Sequence, residues 1–271
     1  MKSILVSLCC FLTCFVYSQS GFPLNGGAKM IGMGNPVSLS EGTDGIFGNQ
    51  AGMTTSESLS AQINSGNSFL SNGLNHFGFG VLVPLKSDHF GVSISQYGIK
   101  EFKEQKFGIA YARNLAKNLN VGIQFDYFQI QTDEFGNKGI LSFEGGLQSQ
   151  IHKNWKIGVH FLSPVQTEIT SSHKLPTVFR LGTAFIPSEK VQFLVEAEKD
   201  ILHPLRINSG IEYKLNNVFT MRLGIRTKPT NFNFGIGGKI SEKIAFDLAL
   251  SYHQILGFSP IFSVVYNSKT R

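Results

Sequence analysis

The sequence predicts an all-β fold, a transmembrane antiparallel β-barrel of about fourteen strands with an N-terminal plug or hatch segment. Three observations predict it. First, an apolar, glycine, apolar triplet recurs in stretches that alternate apolar and polar residues, as in Phe90-Gly91-Val92, Phe107-Gly108-Ile109, Val121-Gly122-Ile123, Ile157-Gly158-Val159, Leu223-Gly224-Ile225 and Phe234-Gly235-Ile236. Successive side chains on a strand point to opposite faces, so these stretches have one bulky apolar face and one of glycine, serine or charge. A closed sheet that is apolar outside and polar inside belongs in a bilayer. Second, the 271 residues include 29 glycines and 24 phenylalanines but are only 42% hydrophobic, with mean hydropathy +0.02. That is too polar for a bundle of membrane helices and matches the dispersed signal of spanning strands. Third, the links alternate in length, and outer-membrane barrels have short periplasmic turns and longer outside loops.

Taken in order, residues 1–18 read as a signal peptide. Lys2 gives the positive start, Ile4 to Val16 the apolar stretch and Val16-Tyr17-Ser18 the cleavage pattern. Cys9, Cys10 and Cys14 all fall inside it, so the mature chain has neither a disulfide framework nor a thiolate metal site. Residues 19–56 form the expected plug. Gly21 to Ser56 is rich in glycine, asparagine and serine, lacks strand alternation, and carries Met30, Ile31, Met33, Ile46 and Phe47 as apolar anchors. It is expected to fold inward with its backbone hydrogen-bonded to a polar lumen; a mobile periplasmic tail is the alternative.

Residues 57–271 form the expected barrel. Strands are read near Ser58 to Asn64, Leu74 to Leu85, His89 to Phe102, Gln105 to Leu115, Asn118 to Thr132, Gly139 to Ile151 and Trp155 to Leu162. The second half gives Thr177 to Ile186, Val191 to Lys199, Leu205 to Leu215, Val218 to Thr227, Asn231 to Ile240, Ile244 to His253 and Pro260 to Asn267. Short turns are expected at Lys86-Ser87-Asp88, Ala116-Lys117, His152-Lys153-Asn154, Pro187 to Lys190, Asn216-Asn217 and Ser241 to Lys243, and longer links at Thr132 to Lys138 and Ser163 to Pro176. An even strand number puts both chain ends in the periplasm.

Alternation assigns the faces. Ile157, Val159 and Phe161 face lipid while Gly158 and His160 face in. Trp155, Tyr213 and Phe219 fall beside short turns, and Tyr97, Tyr127 and Tyr252 toward the other side, as two interfacial aromatic belts require. The charges expected in the lumen are Asp126, Glu144, Arg180, Glu196, Glu198, Arg206, Glu212, Arg222, Arg226 and Asp247. Their mixed signs favour cross-strand pairing over a selectivity ring, with Glu196 or Glu198 near Arg206 and Glu212 near Arg222.

The net charge of +6 does not point to nucleic acid, because the basic residues form no run. Lys86, Lys117, Lys153, Lys190 and Lys243 sit instead in tight turns, where sharing one rim would bring them to anionic headgroups; lysine also simply suits an exposed turn. No enzyme is expected, and no metal or cofactor. The seven histidines are scattered without ligand spacing, and Val37 occupies the third glycine position after Gly32-Met33-Gly34.

The stretch Gly27-Ala28-Lys29-Met30-Ile31-Gly32-Met33-Gly34, followed by Asp44 and by Asn49-Gln50-Ala51-Gly52-Met53, resembles the leader of FadL-type outer-membrane transport barrels and their PorV/PorQ-type relatives. Glu196-Ala197-Glu198-Lys199-Asp200, Gly210-Ile211-Glu212-Tyr213, Arg222-Leu223-Gly224 and Tyr252-His253 through Gly257 look like the PorV/PorQ-type branch. Gln50 stands where that leader has proline, and Asn35-Pro36 replaces its small pair. The resemblance implies a fourteen-stranded barrel with an N-terminal hatch in a Gram-negative outer membrane, whose plug motif comprises Gly27, Gly32, Gly34, Asp44, Asn49, Ala51 and Gly52. It also implies a function: an accessory subunit of protein export and surface attachment of the type IX secretion kind. The alternative is a FadL-like channel for hydrophobic small molecules such as fatty acids. The expected partners are outer-membrane lipid and, according to the reading, a large secretion barrel or other envelope protein, or a hydrophobic small molecule.

Overall fold

A computed structural model describes residues 26–99, 101–132, 136–165, 168–170 and 173–268. The signal-peptide reading of residues 1–18, with its three cysteines, lies outside the described residues. The chain begins with four short helical pieces: α1 (Ala28–Gly32), a 3-10 turn at Val37–Leu39, α2 (Asp44–Phe47) and a 3-10 turn at Gln50–Thr55. Helix α1 stops because the backbone turns left-handed at Gly34 (φ +82°) and Asn35 (φ +64°), a conformation glycine and asparagine adopt most readily.

The strands follow as β1 (Ser60–Asn67), β2 (Asn75–Leu85), β3 (Asp88–Gly98), β4 (Phe102–Ala116), β5 (Leu119–Thr132), β6 (Gly136–His152) and β7 (Trp155–Leu162). A small hairpin, β8 (Glu168–Thr170) with β9 (His173–Lys174), interrupts the series. Then come β10 (Val178–Ser188), β11 (Val191–Asp200), β12 (Arg206–Lys214), β13 (Phe219–Arg226), β14 (Asn231–Lys239), β15 (Ile244–His253) and β16 (Gly257–Asn267). Apart from β8 and β9 these strands form one closed antiparallel barrel of fourteen, each paired with its neighbours in sequence and β16 with β1. The closing pair runs from Ser60 opposite Asn267 to Gly66 opposite Ile261.

The wall follows the alternation. Val92, Ile109, Phe125, Leu181 and Leu223 stand exposed on the outside, whereas Gly91, Ala110, Gln124, Arg180 and Arg222 are buried on the inside. In water such an exterior would be an unusually large apolar surface; against acyl chains it needs no cover.

The links differ from expectation on one side. The six short turns named from the sequence all fall on one rim, the turn rim, together with the start of β1 and the end of β16. On the opposite loop rim, β6 starts at Gly136 rather than near Gly139, and β16 at Gly257 rather than Pro260. Several links expected to be long are therefore occupied by hydrogen-bonded strand, because pairing continues beyond the apolar zone: Gln131 pairs with Asn137 and Thr132 with Gly136. The long exception is the stretch from Ser163 to Thr177. Tyr97 is also placed differently. It shares the inward parity of His89, Gly91 and Ser93 and stacks on His76 at 4.6 Å, whereas Tyr127 and Tyr252 face out.

Candidate functional site

The lumen is built in layers. At mid-height, inward glycines from successive strands leave a recessed belt, and the N-terminal segment lies against it. A methyl group on Gly122 would stand 2.5 Å from the backbone of Gln50 and Ala51. One on Gly158 would strike Ser38 O, on Gly210 Met33 O, and on Gly224 the backbone at Met33 and Gly34. On the other side a methyl group on Gly80 would stand 3.0 Å from the Phe47 ring and one on Gly91 3.0 Å from the Met53 side chain. The segment meets the wall backbone to backbone, an approach only glycine allows.

Hydrogen bonds fix it there. Ala28 N donates to Ser263 Oγ (2.7 Å) and Ser38 N to Glu196 Oε2 (2.5 Å). Asn49 Nδ2 donates to Ser38 O (2.8 Å), Val159 O (3.0 Å) and Leu147 O (3.2 Å), while its Oδ1 accepts from Ala51 N (3.1 Å). Gln148 donates to Ser38 O and Ser40 O, and Gln62 to Asp44 Oδ1 (2.8 Å). The apolar anchors Met30, Ile31, Met33, Ile46 and Phe47 are all buried. Toward the turn rim Glu41 pairs with Lys156. Glu212 holds the Lys29 ammonium above its ordinary range against the opposing effect of burial, and burial pushes the Asp44 carboxyl up.

Toward the loop rim comes a layer of charge. Glu198 receives Arg180 Nε at 2.8 Å, Arg206 Nη1 at 2.5 Å and Arg226 Nη2 at 3.4 Å. Lys106 Nζ lies 2.9 Å from Glu144 and 3.7 Å from Asp126. Arg180 Nη1 meets His160 Nδ1 at 3.0 Å. Nearer the turn rim, Arg222 bridges Glu212 (2.7 Å) and Asp247 (2.6 Å). The lumen charges named from the sequence are thus all drawn into ion pairs or hydrogen bonds, Glu196 serving Ser38 N and Asn208 Nδ2. Arg206 meets Glu198; Glu196 instead serves the N-terminal segment.

Lys106, Gln62, Gln124 and Gln148 were missed. Lys106 was legible, since it has the inward parity opposite Phe107 and Ile109. The glutamines were not, because Gln62 and Gln148 bond the N-terminal segment, far away in sequence, and Gln124 bonds Glu144 only through the β5–β6 register. Gln50, where the leader pattern has proline, donates to Glu144 Oε1 at 3.0 Å and so ties the segment to the charged layer.

One step further toward the loop rim the lining turns apolar. Phe128, Leu162, Leu175 and Val178 form a buried cluster with Ile140 against it. Phe128 stands opposite Ile140, and Leu162 opposite Val178. Leu175 comes from the long link, which folds back so that Thr177 Oγ1 donates to Ser163 O (2.7 Å).

No family model matches the sequence, and no curated protein does. Solved structures do match. The chain is similar to the toluene transporter TbuX of Ralstonia pickettii, with 12% identity, a TM-score of 0.72, and 91% of this chain and 99% of that one covered. It is also similar to the toluene transporter TodX of Pseudomonas putida (12% identity, TM-score 0.69, 91% and 99% covered). A FadL homologue of Pseudomonas aeruginosa gives 12% identity and a TM-score of 0.64 over 90% of this chain and 98% of that one. The shared property is the fold. A fourteen-stranded barrel of the toluene-transporter and FadL-homologue architecture is therefore established for this chain, at an identity too low to carry function with it.

Proposed function

We propose that the protein is a Gram-negative outer-membrane channel for small hydrophobic molecules, with residues 1–18 as its signal peptide, residues 19–56 as its plug and both chain ends in the periplasm. The observation that carries this reading is the apolar cluster of Phe128, Ile140, Leu162, Leu175 and Val178, which lies beyond the charged layer on the loop-rim side of the N-terminal segment, apart from the apolar clusters that hold that segment to the wall. An apolar recess bounded by a few polar groups is the usual form of a small-molecule site. Support also comes from the similar structures, one described as a monoaromatic hydrocarbon channel and others as toluene transporters. In this reading a molecule enters past the Ser163 to Thr177 link, rests on the cluster, and passes when the plug moves. The test is uptake of radiolabelled toluene by outer-membrane vesicles with and without the protein. Uptake should depend on the protein and fall several-fold in Leu162→Asn; equal uptake by both vesicle preparations would sink the proposal.

The second reading, a PorV/PorQ-type accessory subunit of type IX secretion, would need a surface for a protein neighbour. Leu70, Ile255 and Leu256 stand exposed at the loop rim, where the β1–β2 link packs on the β15–β16 hairpin through Phe69 and His253. Such tips suit a protein neighbour. A large envelope protein co-purifying with the native chain, and released by Ile255→Asp, would favour this role.

A further inference from the structure

We propose that the outer wall carries a binding site for an anionic phospholipid at the turn-rim end of β7, β10 and β11; the inference rests on the reading of the chain as a membrane barrel. Three aromatic rings lie side by side there. Trp155 of β7 is paired in register with Phe185 of β10, and Phe185 with Phe193 of β11. The Trp155 and Phe185 rings are 4.7 Å apart at 34°, those of Phe185 and Phe193 6.4 Å apart at 20°. Trp155 and Phe193 are exposed. With neighbouring strands spaced about 4.8 Å, the row forms a flat apolar shelf roughly 10 Å wide.

Two turns border that shelf, and each carries a lysine. Lys153 precedes Trp155 by two residues, and Lys190 closes the turn that joins the strands of Phe185 and Phe193. Both lysines are exposed, and among the described residues neither pairs with a carboxylate. Exposed Ile151 stands at the end of β6, so the lysines sit where lipid-facing apolar surface gives way to polar turn. The shelf accepts the upper part of an acyl chain, and the ammonium groups meet the phosphate above it. A lysine near a membrane surface favours an anionic over a zwitterionic lipid by about fivefold. The lipid assigned is phosphatidylglycerol or another anionic glycerophospholipid of the leaflet the short turns face.

Trp155 is the one tryptophan in the chain, so its fluorescence reports on this site alone. The full mature protein is reconstituted in phosphatidylcholine vesicles containing a fixed fraction of brominated phosphatidylglycerol or, separately, of brominated phosphatidylcholine. With two lysines, brominated phosphatidylglycerol should quench with an apparent association constant up to about 25-fold higher at low salt, and the excess should vanish in high salt. Lys153→Gln with Lys190→Gln should abolish the excess and leave quenching by brominated phosphatidylcholine unchanged. Equal quenching by the two lipids in the unmodified protein overturns the site, as does an excess that survives the double substitution. A stronger protection of Trp155 by added lipid A than by phosphatidylglycerol overturns the assignment of the lipid. Quenching by neither brominated lipid would overturn the membrane barrel itself, so the two failures are distinguishable.

Discussion

Glu198 is the residue on which the inner charges depend most. Its single carboxylate receives Arg180, Arg206 and Arg226, and its side chain is only 4% exposed. Burying ions is costly, and removing one partner leaves the others without compensation. Glu198→Gln should therefore destabilise the barrel by about 3 to 5 kcal/mol, read as a lower urea midpoint for unfolding from detergent micelles. Arg226 is the contrasting member, with its side chain 24% exposed and its distance to Glu198 the longest of the three. Arg226→Gln leaves Glu198 with two arginines and a partly solvated gap, so its cost should be about 1 kcal/mol or less. Similar costs for the two variants would mean that the three arginines are not bound to a common anchor.

At the scale of elements, the fit between the glycine belt and the N-terminal segment sets the packing of the lumen. Gly122→Val would put branched methyl groups where the backbone of Gln50 and Ala51 already lies 2.5 Å from an added Cβ, and backbone on both sides leaves little to yield. Overpacking of this kind costs about 1 to 3 kcal/mol, here charged to the docking of the segment rather than to the wall, whose ladder passes through Gly122 unchanged. The expected outcome is faster trypsin or subtilisin cleavage within residues 26–56, with the heat-resistant mobility of the barrel on gels retained; loss of both together would show that wall and segment form one folding unit. The strands themselves were legible because a period of two with bulky groups on one face has a single physical cause, seen in Phe90-Gly91-Val92 as in Ile157-Gly158-Val159. Strand ends such as Gly136 to Lys138 were not, since above the apolar zone both faces are polar and alternation vanishes. The short helices of the N-terminal segment were hidden for another reason. They are stabilised by Asn49, Gln148 and Gln62, which bond backbone or carboxylate between segment and wall, and that pairing depends on a register set only when the barrel closes.

For the whole molecule, the decisive question is whether the lumen conducts once the segment leaves it. The wall has no gap in its hydrogen-bonded sequence of neighbours, so any passage along the axis must go through the space that residues 26–56 now fill. Removing those residues would uncover the inward glycines of most strands together with Gln62, Gln148 and Glu196, a lining that water wets readily. A variant lacking residues 26–56 but keeping residues 1–25 should therefore give ion conductance in planar bilayers far above that of the full chain. If that segment alone blocks the axis, the charged layer does not, because Glu198 with its arginines and Glu144 with Lys106 are anchored on β4, β6, β10, β11, β12 and β13 and stay at the wall. That separation is itself testable: Glu198→Gln in the shortened chain should change the ratio of cation to anion permeability by uncovering arginine charge, while leaving the open state in place. A shortened barrel as silent as the complete one would place the barrier in the charged layer and the apolar cluster above it, and would move the gate from the N-terminal segment to the Ser163 to Thr177 link.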